Sequence, residues 1–141
     1  MTTPRPGRGA PDDPMRSHLV EVRRILLRLH KSLIDSERAE IERARGRMTS
    51  GAFLQMLIND EALAWLRPFS ELIVQMDEAL AADEPVAAAD ARAFIQSARA
   101  LIAADGIAGL SVRYAVVHGR DAAVRAAHAA LLDRAALALA E

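Results

Sequence analysis

The residues of this chain best suited to acid–base or metal chemistry are four histidines, His18, His30, His118 and His128. A helical di-iron site needs a glutamate three residues before each ligating histidine, with further glutamates from facing helices. Here those preceding positions hold Met15, Leu27, Ala115 and Arg125, so that ligand set is missing. The zinc-protease pattern fails as well, because Leu19, Lys31, Gly119 and Ala129 follow the histidines. No metal site is expected and no cofactor is implied. The chain contains no cysteine. That excludes disulfides, thiolate zinc sites, iron–sulfur ligation and cysteine nucleophiles.

Two histidines stand among apolar neighbours. Leu26, Leu27, Leu33 and Ile34 flank His30, and Val124, Leu131, Leu132 and Ala135 surround His128. A histidine on an apolar helix face is ordinarily a neutral core residue. The alternative is a pair that touches a ligand or responds to pH. The run Trp65-Leu66-Arg67-Pro68-Phe69 places the chain's one tryptophan and an arginine at an expected helix break. Such a cluster is either a plug filling the core at the bend or a binding hot spot. His30, His128, Trp65 and Arg67 therefore form the candidate ligand-binding set, with no catalytic residue assigned.

Arg16, Arg23, His30 or Lys31, Arg38 and Arg45 recur every seven or eight residues and could follow a phosphate backbone. Glu21, Asp35, Glu37, Glu40 and Glu42 interleave with them, and no aromatic residue accompanies them. A solvated, salt-bridged face explains that pattern better than nucleic-acid binding does. The adjacent acidic pairs Asp60/Glu61, Asp77/Glu78 and Asp83/Glu84 point about 100° apart within helices, which is unsuited to paired-carboxylate catalysis. His118-Gly119-Arg120-Asp121 lacks the context of a kinase catalytic loop; a helix stop at Gly119 and an N-cap at Asp121 account for it. Nucleotide-binding glycine loops and a hydrolase elbow are absent.

The elements that position these residues are helical. Asp13 is a good N-cap, Pro14 suits the first helical position, and Gly46 suits the C-terminal stop, which predicts a helix of about 32 residues. One apolar column runs through Met15, Leu19, Val22, Leu26, Leu29 and Leu33. A second, Val20, Leu27, Ile34 and Ile41, lies about 100° away. Two seams imply two partners for this helix. Short helices follow at about 51–58, capped by Thr49 or Ser50, and from a cap at Asn59 or Asp60 to a break near Arg67, where Pro68 disrupts continuation. An amphipathic stripe then runs through Phe69, Leu72, Ile73, Met76 and Leu80. Further helices are expected at about 86–104, 111–117 and 122–139, with a loop over Gly106 to Leu110.

The fold class is thus all-α: a bundle of about five helices, one domain over residues 13–141, with a disordered tail over 1–12. That tail, rich in proline and glycine, lacks the apolar core of a signal peptide. No apolar run is long enough to span a membrane. Hydrophobic residues make up 52% but aromatics only 4%, so the core must be built from alanine, leucine, isoleucine and valine in closely approaching helices. Net charge is −1, which gives no strong pull toward polyanions. A cytoplasmic location fits the lack of cysteine and of targeting segments.

The segment LHKSLIDSERAEIERARGRM, followed by LINDEALAWLRPFSELIVQMDE, resembles small helical bacterial proteins to which no activity is attached. The likeness spans roughly residues 18–80 and the HAALL near the end. It implies a bacterial cytosolic origin and brings no substrate or catalytic residue with it.

The functional expectation is a non-enzymatic helical interaction or regulatory module. It self-associates through Val20, Leu27, Ile34 and Ile41 as a homodimer or other homo-oligomer. The alternatives are small-ligand binding or sensing in the bundle core near His30 and His128, and weak nucleic-acid association through helix 1.

Overall fold

The structure, a computed structural model, describes residues 13–103 and 110–141. The tail expected over 1–12 and most of the loop expected over Gly106 to Leu110 lie outside the described residues. The described elements are all helical: α1 (Pro14–Arg45), α2 (Ser50–Asn59), a 3₁₀ segment (Glu61–Leu66), α3 (Arg67–Ala81), α4 (Ala88–Leu101), α5 (Leu110–Arg120) and α6 (Ala122–Leu139). None of these helices is long and apolar enough to cross a membrane.

Side-chain caps set most of the helix starts. Asp13 accepts from the amide of Met15 at 2.8 Å, Thr49 from Ala52 at 3.1 Å, and Asp60 from Ala62 at 2.9 Å. Asp121 accepts from both Ala123 and Val124. Each satisfies amides that the first turn of a helix leaves without partners. Gly46 ends α1 with φ +89°, a conformation that side-chain-bearing residues rarely adopt. Pro68 falls in the first turn of α3, where its missing N–H costs nothing, so the expected break becomes a change from 3₁₀ to α geometry.

Ion pairs and shared cavities fix the helix directions. His18 near the start of α1 meets Glu141 beyond the end of α6, and Glu37 late in α1 meets Arg120 just before α6 begins. Arg23 pairs with Asp77, while His30 and Ser70 line one cavity, so α3 also runs against α1. Arg92 donates to the carbonyl of Leu139, and Leu101 lies beside His128, so α4 runs against α6. α1 and α4 are therefore a central parallel pair in contact, each also touching the antiparallel α3 and α6.

The core is aliphatic, with alanines where helices approach closely. Leu19, Val22, Leu26, Leu29 and Leu33 of α1 are fully buried against Phe69 and Met76 of α3, Ile95 and Ala98 of α4, and Leu131 and Ala135 of α6. On α6 the buried stripe is Val124, Ala127, Leu131, Ala135 and Ala138, whereas Leu132, expected inward, is 40% exposed. In an Ala/Leu-rich helix the pattern alone does not fix the inward face; the small side chains that let α1 come close decide it.

At 1.5 Å per residue α1 is about 48 Å long, twice the length of α3 or α4. Its second half overhangs the four-helix layer and is covered by α2, the 3₁₀ segment and α5. There Arg38 donates to the carbonyl of Met48 at 2.9 Å and stacks its guanidinium over Phe53.

Candidate functional site

The four residues of the candidate ligand set separate into different surroundings. His30 and Arg67 line a cavity of about 360 Å³ between α1, α2 and the 3₁₀ segment, in company with Ile34, Leu57 and Leu63. Burial pushes the imidazole of His30 below its ordinary pKa. Arg67 is occupied structurally, donating to the carbonyl of Ile58 at 2.7 Å. His128 lines another cavity of about 360 Å³, between α4, α5 and α6. Trp65 is buried, its ring edge-on to Phe69 at 6.4 Å between centroids, and its indole N–H has no partner among the described residues. Trp65 thus belongs to the core cluster where the chain passes from 3₁₀ to α geometry.

The cavity at His128 brings together more chemistry than the candidate set foresaw. Tyr114 and His118, four residues apart, share one side of α5 and face α6. The Tyr114 hydroxyl and His128 Nδ1 are 2.8 Å apart. The two imidazoles stand edge to face, 4.7 Å between centroids at 71°. Tyr114 stacks on Phe69 at 6.0 Å, so rings continue from Trp65 through Phe69 and Tyr114 to the histidines. The rest of the lining is Leu101, Ile102, Ala103, Ala115 and Leu132.

Electrostatics fix the protonation of this group. Burial first, then the neighbouring His118, lowers the pKa of His128, and burial raises that of Tyr114. Both are neutral near pH 7. A phenol is the stronger acid of the two neutral groups, so we assign Oη–H as donor and Nδ1 as acceptor. With that assignment Nε2 of His128 carries the hydrogen, and it pairs with no described residue.

Three features escaped the sequence reading. Tyr114 was not singled out, although its spacing of four from His118 on a short helix is a usable signal. Gly119 does not stop α5, which continues to Arg120. The last turn is held because Arg120 donates to Ser36 at 3.1 Å and to Glu37 at 2.6 Å. Glu37, expected on a solvated face, is 6% exposed and clasped by Arg120 and Arg113. It ties α5, and with it Tyr114 and His118, to α1.

The basic column of α1 is largely spent inside the chain. Arg23 makes two hydrogen bonds to Asp77 at 2.6 and 3.2 Å, Lys31 pairs with Asp35, and Arg38 with Glu42. The second apolar seam divides. Val20 and Leu27 are 38% and 41% exposed, whereas Ile34 and Ile41 pack against the chain's own core. Among the described residues no three histidine, aspartate or glutamate side chains converge as a metal site would require.

No known protein family, curated protein sequence or solved structure shows significant similarity to this chain.

Proposed function

We propose that this chain is a small-ligand-binding helical bundle whose site is the cavity of Tyr114, His118 and His128. The observation that carries the reading is the Tyr114–His128 hydrogen bond at the wall of a mainly apolar cavity of about 360 Å³. Ligand sites are concave and mostly apolar with a few convergent polar groups, and this volume lies at their small end. Tyr114 holds the His128 ring and its tautomer, which leaves one N–H donor free for a hydrogen-bond acceptor on the ligand. The rings of Tyr114 and His118 offer flat faces, and Leu101, Ile102 and Leu132 offer apolar contact. A small planar molecule with one acceptor fits that description.

The test is an NMR titration of the isotopically labelled protein with indole and related one- or two-ring probes. Saturable shifts centred on Ala103, Ala115, His118 and His128, abolished by Ala115→Trp filling the cavity, support the reading. No saturable shift at this cavity with any probe would overturn it.

Self-association through α1 is the second reading, favoured by the exposure of Val20 and Leu27 and of Val74 on the neighbouring α3. Ile34 and Ile41 are used within the chain, so the free seam is only the N-terminal half of the one expected. Sedimentation should show an oligomer that Val20→Glu with Leu27→Glu dissociates without loss of helicity. A wild-type monomer at high concentration would remove this reading.

A further inference from the structure

The histidine cavity does not stand alone on the molecular surface. A second hollow of about 490 Å³ lies along one face of α4, lined among the described residues by Arg92, Gln96, Arg99, Ala100, Ala103 and by Leu139 of α6. Ala103 belongs to the linings of both. The two hollows therefore meet at that residue, one mainly apolar with histidines at its wall, the other bearing two arginines and no acid among its described lining residues.

The two arginines differ. Arg92 is committed to the structure, donating to the carbonyls of Leu139 at 2.9 Å and Glu141 at 3.2 Å. Arg99 is exposed and makes no ion pair or hydrogen bond through its side chain with a described residue. It lines the same hollow as Ala103, the residue common to both linings. A guanidinium is the side chain best shaped to grip a carboxylate with two parallel hydrogen bonds.

We infer that the site takes an amphipathic anion of the aryl-alkanoate type, with its ring in the Tyr114–His118–His128 cavity and its carboxylate on Arg99. The inference rests on the reading of that cavity as a ligand site and adds the charge and length of the occupant. The apolar lining and ring faces select the aromatic body, and a short alkyl chain crosses at Ala103, whose side chain is one methyl group. The cation beyond selects the head. The C-terminal end of α4 presents carbonyls toward the same region, which repel an anion, so the preference depends on Arg99 itself.

The experiment compares 4-phenylbutyrate with 4-phenylbutan-1-ol, two molecules of one body that differ in charge, by NMR titration of the wild-type protein, Arg99→Gln and Arg99→Lys. The expected result is acid binding about fivefold tighter than alcohol at low salt, the size of a partly exposed ion pair. That preference shrinks in high salt. Arg99→Gln removes it while leaving alcohol affinity unchanged, and Arg99→Lys restores part of it. Equal affinity for acid and alcohol, both at the histidine cavity, overturns the anion assignment and leaves the ligand cavity standing. A preference for acid that survives Arg99→Gln overturns it too, since the head then lies elsewhere. Failure of both molecules to bind, with indole failing as well, removes the cavity reading and this inference together.

Discussion

His118 and His128 approach to 4.7 Å between ring centroids, close enough that a proton on one opposes a proton on the other. His118 lies on the last turns of α5 and His128 on the second turn of α6, so the chain reverses between them to bring the pair together. Burial first, and then the neighbouring His118, make His128 harder to protonate than a free imidazole.

Stability should fall on acidification. Burial and His118 lower the pKa of folded His128, and burial lowers that of His30. Each binds a proton more readily in the unfolded chain, near its ordinary value of 6.5, than in the folded one. As pH drops below that value the unfolded state takes up protons first, so stability is lost between 6.5 and the lower folded pKa values and is full above it. Urea midpoints measured from pH 8 to 5 check this. The fall should flatten in His30→Gln/His128→Gln, and an undiminished fall would assign the loss to other groups.

Replacing Tyr114 by phenylalanine keeps the stack on Phe69 and removes only the hydroxyl. The expected cost is about 1 kcal/mol, that of one ordinary hydrogen bond. The neutral form of His128 also loses the donor that favours it. Its pKa should therefore rise in this variant, which a histidine-detected NMR titration reads directly.

The two arginines on Glu37 should not be equivalent. Arg120 approaches to 2.6 Å and is the more buried, whereas Arg113 stands at 3.3 Å with half of its side chain exposed. Arg120→Ala leaves a buried carboxylate with its weaker partner and should cost about 1–3 kcal/mol. Arg113→Ala should cost less than about 1 kcal/mol. Chemical denaturation of the two variants makes the comparison, and α5 amides should lose exchange protection in the first.

Ala135 is fully buried on α6, which packs against both α1 and α4. A leucine there has nowhere to go without parting the helices, and about 1–3 kcal/mol of destabilisation is expected. Trp65→Phe should be far milder, under about 1.5 kcal/mol, because the lost packing is offset by removing a buried N–H that has no partner among the described residues. Thermal melts of both variants test the ranking.

Helix positions were legible in the residues because caps and stops are local chemistry. Asp13, Pro14 and Gly46 bound α1, and Asp121 starts α6, by hydrogen bonds within a few residues. What depends on distant partners was not legible. Glu37 reads as surface because its neighbours in sequence are charged, and only the arrival of Arg113 and Arg120 from α5 makes its burial tolerable. His128 was singled out from its apolar neighbours, but its partners Tyr114 and His118 come from a helix whose rotation the pattern does not fix. His30 and His128 line separate cavities, and a sequence holds no measure of that separation.

The overhang of α1 has a consequence for how the molecule opens. Residues 19–33 are locked by α3, α4 and α6 together, whereas the stretch beyond is held by short helices, Glu37 and the cover of α2. Amides after Leu33 should therefore exchange through partial opening, while those before it wait for complete unfolding. One continuous rod is then shared between two cooperative units of unequal strength. Because Tyr114 and His118 belong to the weaker unit, anything bound between them and His128 would fasten the two together.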